Sequence, residues 1–145
     1  MFRSILWLSV LAVGCGTDSV QTVNQSSGYV EDDVDDVGPE IEHEPIGTSQ
    51  LYLQEVAIDA TVWDEDSGVF IVEVVFKRED STVWQTRSLV EDAEIAEYFW
   101  GTIPGVDVQS GGMHYYLEAT DREGNVSWAP DEADGDPYHF RITED

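Results

Sequence analysis

The chain has 145 residues, of which 31 are Asp or Glu and 6 are Lys or Arg, for a formal net charge of −25 at pH 7. Such a chain repels nucleic acid and anionic lipid head groups, because Lys and Arg drive binding to both through counterion release, so a nucleic-acid-binding role is excluded. Its one cysteine cannot close an internal disulfide, so any exported domain must stand on packing alone.

Residues 1–14 carry one basic residue, Arg3, followed by the apolar run Ile5-Leu6-Trp7-Leu8-Ser9-Val10-Leu11-Ala12-Val13. At roughly 10 residues the run is about half of what a helix needs to cross ~30 Å of hydrocarbon. A basic start, a short apolar middle and small residues at the end form a signal-peptide pattern. The stretch Leu11-Ala12-Val13-Gly14-Cys15 resembles the lipobox of bacterial lipoproteins. That resemblance implies cleavage before Cys15, a diacylglycerol on its thiol and an acylated new amino terminus. It also implies the bacterial cell envelope, and Gly16, in place of the aspartate that retains family members at the inner membrane, implies the outer membrane. The alternative is an ordinary secretory signal that leaves Cys15 free. Each buried methylene contributes about 0.8 kcal/mol, so one chain attaches marginally and several attach durably.

From Gly16 to Gly38 the composition is Ser, Thr, Gln, Asn, Gly and acid with only scattered Val20, Val23, Tyr29, Val30, Val34 and Val37, and like charges adjoin at Glu31-Asp32-Asp33 and Asp35-Asp36. No periodic apolar face emerges, so residues 15–38 are expected to be a lipidated cysteine followed by a disordered acidic tether. About 23 such residues have a root-mean-square span of roughly 25–30 Å. The acids lack the glycine-punctuated spacing of an EF-hand loop.

Residues 39–145 alternate apolar and polar positions almost throughout. Val56, Ile58, Ala60 and Val62 predict a strand with even positions inward, closed by the turn Asp64-Glu65-Asp66-Ser67-Gly68. Val72, Val74 and Phe76 predict the next inward set. Residues 82–89 predict a shorter strand around Trp84, and residues 91–96 a polar connector with a helical turn. Phe99, Gly101 and Ile103 precede Pro104-Gly105. Met113, Tyr115, Leu117 and Ala119 form the clearest inward set, and residues 138–142 the last strand. Short alternating strands without a long helical window predict an all-β, two-sheet sandwich.

Ile103-Pro104, then Tyr115-Tyr116-Leu117-Glu118-Ala119-Thr120-Asp121, then Gly124-Asn125 resemble the immunoglobulin-like and fibronectin-type-III-like modules of bacterial surface proteins. The resemblance implies an immunoglobulin-like sandwich of about seven strands acting as a binding domain, spacer or accessory part. Where fibronectin-type modules place their corner tyrosine, six residues before the Ala, this chain has Met113, and Tyr115 is expected to take part of that role.

No Gly-x-Ser-x-Gly elbow, His-Glu-x-x-His or phosphate loop is present, and His43, His114 and His139 are scattered, so the chain is read as a non-enzyme. Two binding constellations remain. Strand parity turns Trp63, Tyr98 and Trp100 outward on neighbouring strands, a platform for a glycan or a surface protein, or else simple cross-strand pairs. Asp64, Asp66, Asp121, Glu123, Asp131, Asp134 and Asp136 cluster in loops, where they could hold Ca²⁺, the one cofactor considered, or else cap turns and face solvent. The expected partners are thus a membrane, through the lipid, and an unidentified surface protein or glycan.

Overall fold

The computed structural model describes residues 34–47, 49–133 and 135–144; the expected signal segment, Cys15, most of the expected tether and Asp134 lie outside them. The described residues form ten strands and no helix: β1 (Glu40–Glu42), β2 (Ser49–Leu51), β3 (Val56–Trp63), β4 (Val69–Arg78), β5 (Gln85–Ser88), β6 (Val90–Glu91), β7 (Tyr98–Ile103), β8 (Gly111–Asp121), β9 (Val126–Ala129) and β10 (Tyr138–Thr143). They make two sheets, one ordered β1-β3-β7-β6 and the other β2-β10-β8-β4-β5, with β9 beside the second half of β8. The chain folds as the expected all-β, two-sheet sandwich, with ten strands in place of about seven because short pieces edge both sheets.

Period-2 alternation explains the two layers. On β3 the even positions are buried, and on β8 Met113, Tyr115, Leu117 and Ala119 are fully enclosed. These meet Val72, Val74 and Phe76 of β4 and Phe140 of β10 in one core. Each of the Val, Leu, Met and Phe side chains contributes about 1.5–3 kcal/mol of burial. Val75 is also buried although it points outward: its cross-strand partner is Tyr116, against which Trp84 packs edge-on at 5.2 Å.

Two local expectations are corrected. Trp84 lies before β5 rather than within a strand over residues 82–89, because its ring turns back over Tyr116, with the Lys77 ammonium 4.8 Å from its centroid. Residues 91–96 form no helical turn. Asp92 Oδ1 accepts the N–H groups of Glu94 and Ile95 at 2.9 and 3.0 Å, but Glu97 at a φ of +66° and the bond from Asp92 N to Tyr98 O at 2.8 Å close the segment as a tight loop into β7.

Tyr115 does not make the local corner of a fibronectin module. Its hydroxyl accepts the N–H of Ile46 at 2.8 Å and lies 3.0 Å from His43 Nε2, bolting the link between β1 and β2 onto the core. Burial pushes its pKa up to about 12, against the opposing effect of the Ile46 hydrogen bond.

The loops gather at two ends. Residues 34–39, 64–68 and 121–125 form a tether-side pole, joined by bonds from Arg122 N to Gly68 O and from Asn125 Nδ2 to Asp35 O. Residues 52–55, 79–84 and 104–110 form the far pole. There Gly105 has no substitute, since a Cβ would meet the Leu53 carbonyl oxygen at 2.4 Å.

Candidate cation site and aromatic faces

At the tether-side pole two aspartates end strands and cap the turns that follow. Asp64 Oδ1 accepts the N–H groups of Ser67 and Gly68 at 2.8 and 2.9 Å and the Ser67 hydroxyl at 3.2 Å. Asp121, buried at the end of β8, accepts Gly124 N and Asn125 N through Oδ1 and Asn125 Nδ2 through Oδ2. Gly68 and Gly124 sit at φ of +77° and +95°, where a side chain would be strained.

A third carboxylate reaches them from an unexpected place. Asp35 is held by Asn125 Nδ2 on its carbonyl and by Val37 N on Oδ1, while its Oδ2 is buried without a hydrogen-bond partner. One oxygen from each of Asp35, Asp64 and Asp121 lies within 4.8 Å of the other two. Like charges 4 Å apart repel by about 1 kcal/mol in bulk water and about 4 at an effective dielectric near 20.

Burial raises the Asp64 carboxyl, but hydrogen bonds from Gly68 and Ser67 outweigh it and hold the pKa below its ordinary value, against the neighbouring Asp121 charge. Burial likewise raises Asp121, and bonds from Asn125, Gly124 and the Ser67 side chain bring it below its ordinary value. Both are therefore anionic at neutral pH. Three hard oxygen donors suit Ca²⁺, which takes six to eight at ~2.3–2.6 Å and tolerates irregular geometry and water; Mg²⁺ demands a near-ideal octahedron.

The loop acids expected to share a site are split. Asp64 and Asp121 converge. Asp66 lines an adjoining cleft of about 170 Å³ with Glu65, Glu40 and Trp63. Glu123 is exposed on its turn, and Asp131 and Asp136 lie in the β9–β10 loop, outside the trio; Asp134 lies outside the described residues. Asp35 was hidden in the acidic run. The available signal was Val37-Gly38-Pro39 after it: a Cβ on Gly38 would fall 2.6 Å from Ser127 Oγ, so this stretch packs closely.

Trp63, Tyr98 and Trp100 do share the outer face of the smaller sheet. Tyr98 pairs with Thr61, Trp100 with Asp59 and Trp63 with Glu40. They do not make one open platform. Trp63 is half-buried and lines grooves with Gly38 and Glu40. The Tyr98 hydroxyl donates to Asp59, and partial burial, Asp59 and Asp92 together push its pKa up. Trp100 is 49% exposed beside its cross-strand partner Val90, 61% exposed.

Of the histidines, His43 serves the Tyr115 bolt, whereas His114 and His139 pair across β8 and β10 with ring centroids 4.9 Å apart. Desolvation, then His139 and Lys77, hold the His114 pKa down against Glu79. Among the described residues no third ligand stands close enough to complete a metal site there. No protein-family model matches the chain, and no curated protein matches it.

Proposed function

We propose that this chain is a lipoprotein of the bacterial envelope, held at the outer membrane through acyl chains on Cys15, that presents its sandwich as a non-catalytic module for binding a protein or a carbohydrate. The observation that supports this reading is the Trp100–Val90 pair, a half-exposed indole beside an exposed aliphatic side chain on a sheet face. Patches that combine an aromatic ring with apolar area recur at binding sites. The test is capture of partners from intact envelopes by the full acylated chain. Wild type should retain a partner that Trp100→Ala loses at unchanged melting temperature; equal capture by both would remove the patch from consideration, and a mature product without fatty acyl groups in mass spectrometry would remove the anchor.

A second reading, a structural spacer or accessory subunit with a Ca²⁺-binding acidic pole, is favoured by Asp35 meeting Asp64 and Asp121. A divalent cation there would join the stretch around Asp35 to two loops of the sandwich. Calcium should raise the melting temperature more than Mg²⁺ or salt at matched ionic strength, and Asp64→Asn should erase the difference.

A further inference from the structure

The outer face of the larger sheet carries a cleft of about 420 Å³ between the rings of Tyr116 and Trp128. Its construction follows from strand parity. Tyr116 and Glu118 point outward on β8, and Trp128 of β9 sits directly opposite Glu118. The Trp128 indole N–H donates to Glu118 Oε2 at 2.8 Å, which fixes the plane of the ring. Asp131 and Glu132 close the rim from the β9–β10 loop, where Glu132 O accepts the N–H groups of Gly135 and Asp136 at 2.9 Å each and Ala133 is buried.

The charges of this cleft are not balanced from within. Glu118 stands opposite Glu73 across β4 and β8, and like charges placed so are destabilising. Among the described residues the side-chain ion pair is Arg78–Asp80, which involves none of Glu118, Asp131 or Glu132. Lys77, on the same face, is already placed over Trp84. That internal contact is an ammonium on an indole, the chemistry the cleft offers to a ligand.

We infer that the Tyr116–Trp128 cleft is a seat for a lysine or arginine side chain of a partner polypeptide. Ring faces attract a cation through their quadrupole, and the carboxylates add charge-assisted hydrogen bonds. A sugar could stack on the same rings, but a neutral ligand would leave three carboxylates uncompensated. The aliphatic stem of Lys or Arg would lie along the indole. Beyond the cleft, Val126 and Trp128, 38% and 43% exposed, face outward together on β9 and extend an apolar shoulder for the residues flanking the inserted side chain. This seat is separate from the Trp100 patch and on the other sheet.

The full chain, labelled with ¹⁵N on tryptophan, is titrated at constant ionic strength with capped lysine, capped arginine, capped norleucine and methyl glucoside. The Trp128 indole resonance, assigned by its loss in Trp128→Phe, should move saturably with the two cations and stay still with the two neutral probes. Glu118→Gln should weaken the response about threefold or more, consistent with loss of a charged partner beside an aromatic seat. Trp100→Ala should leave it unchanged, so failure here is distinguishable from failure of the Trp100 patch. A motionless Trp128 resonance, or equal movement with norleucine or glucoside, overturns the proposal. An undiminished response in a Glu118→Gln chain whose other indoles keep their positions also overturns it.

Discussion

The two poles of the sandwich are closed by different chemistry. At the tether-side pole aspartate side chains collect loop N–H groups, and the resulting carboxylates converge. At the far pole backbone bonds such as Leu53 N to Val108 O at 2.9 Å are joined by scattered side-chain bonds, Gln85 to Asp107 and Arg78 to Asp80 among them, with no converging carboxylate trio among the described residues, and Leu51, Leu53 and Val106 are exposed. A pole built on converging carboxylates responds to divalent cations and acid; the far pole, whose acids stand apart and whose ion pair is exposed, responds far less. The core between them should be indifferent to the distinction.

The largest expected effect tests that indifference. Phe76→Ala, at a fully buried site on β4, should cost about 3–5 kcal/mol in denaturant unfolding. The increment that calcium adds should survive at whatever stability remains; an increment that shrank with the core would mean the cation acts on the whole domain.

Calcium comes next. At 100 times its dissociation constant a cation bound only by the folded chain adds about 2.7 kcal/mol. Amide exchange should slow at Gly68, Gly124 and Asn125, and Leu53 and Val108 should exchange as before. Slowing spread evenly over both poles would count against a local site. The Asp64 and Asp121 carboxyls are held below their ordinary range, so their contribution is present at neutral pH and is lost as pH falls below about 4. The calcium increment should fade in the same window.

Tyr115 separates alkaline from acid behaviour. Its pKa is raised from an ordinary value of 10.0 to about 12, so its stabilising effect is intact below pH 10 and lost between those values. Tyr115→Phe should cost about 1–3 kcal/mol at neutral pH by orphaning the Ile46 N–H, and should flatten the decline above pH 10. An unaltered alkaline slope would assign that slope to another group.

The smallest effect belongs to the far pole. Leu53 adopts a φ of +55°. Leu53→Gly should change stability by about +1 kcal/mol or less, relief of the strained backbone being partly offset by glycine's greater loss of freedom on folding. No response to calcium should accompany it in thermal melts.

What the sequence disclosed and what it concealed divide along physical lines. The inward sets of β3 and β8 were legible because alternation on a half-buried strand is a local property. The positions of Asp64 and Asp121 at turns were equally local. That they meet was not legible, because residues 57 apart in sequence are joined only by the pairing of β4 with β8, including Val69 with Asp121. Trp84 looked like strand because Thr82, Val83 and Thr86 flank it; its ring instead packs edge-on against Tyr116, a tertiary contact that no pattern of 2 records. Asp35 sat in a run of acids whose local composition signals loose chain, and a carbonyl bond from Asn125, 90 residues later, fixes it.

The first edge strand is shared between the layers: β1 pairs antiparallel with β3 and β2 runs parallel to β10, reaching the far pole. A pull on the chain from its amino-terminal side would therefore slide both segments lengthwise past their partners and load their bonds together, with the Tyr115–Ile46 bolt between them. The amino-terminal edge of the sandwich is stitched to both sheets, so a pull along it is resisted as shear instead of peeling the edge open bond by bond. In single-molecule stretching from the amino end, rupture in one high-force step is expected, and gradual low-force unzipping would show that the stitching carries no load.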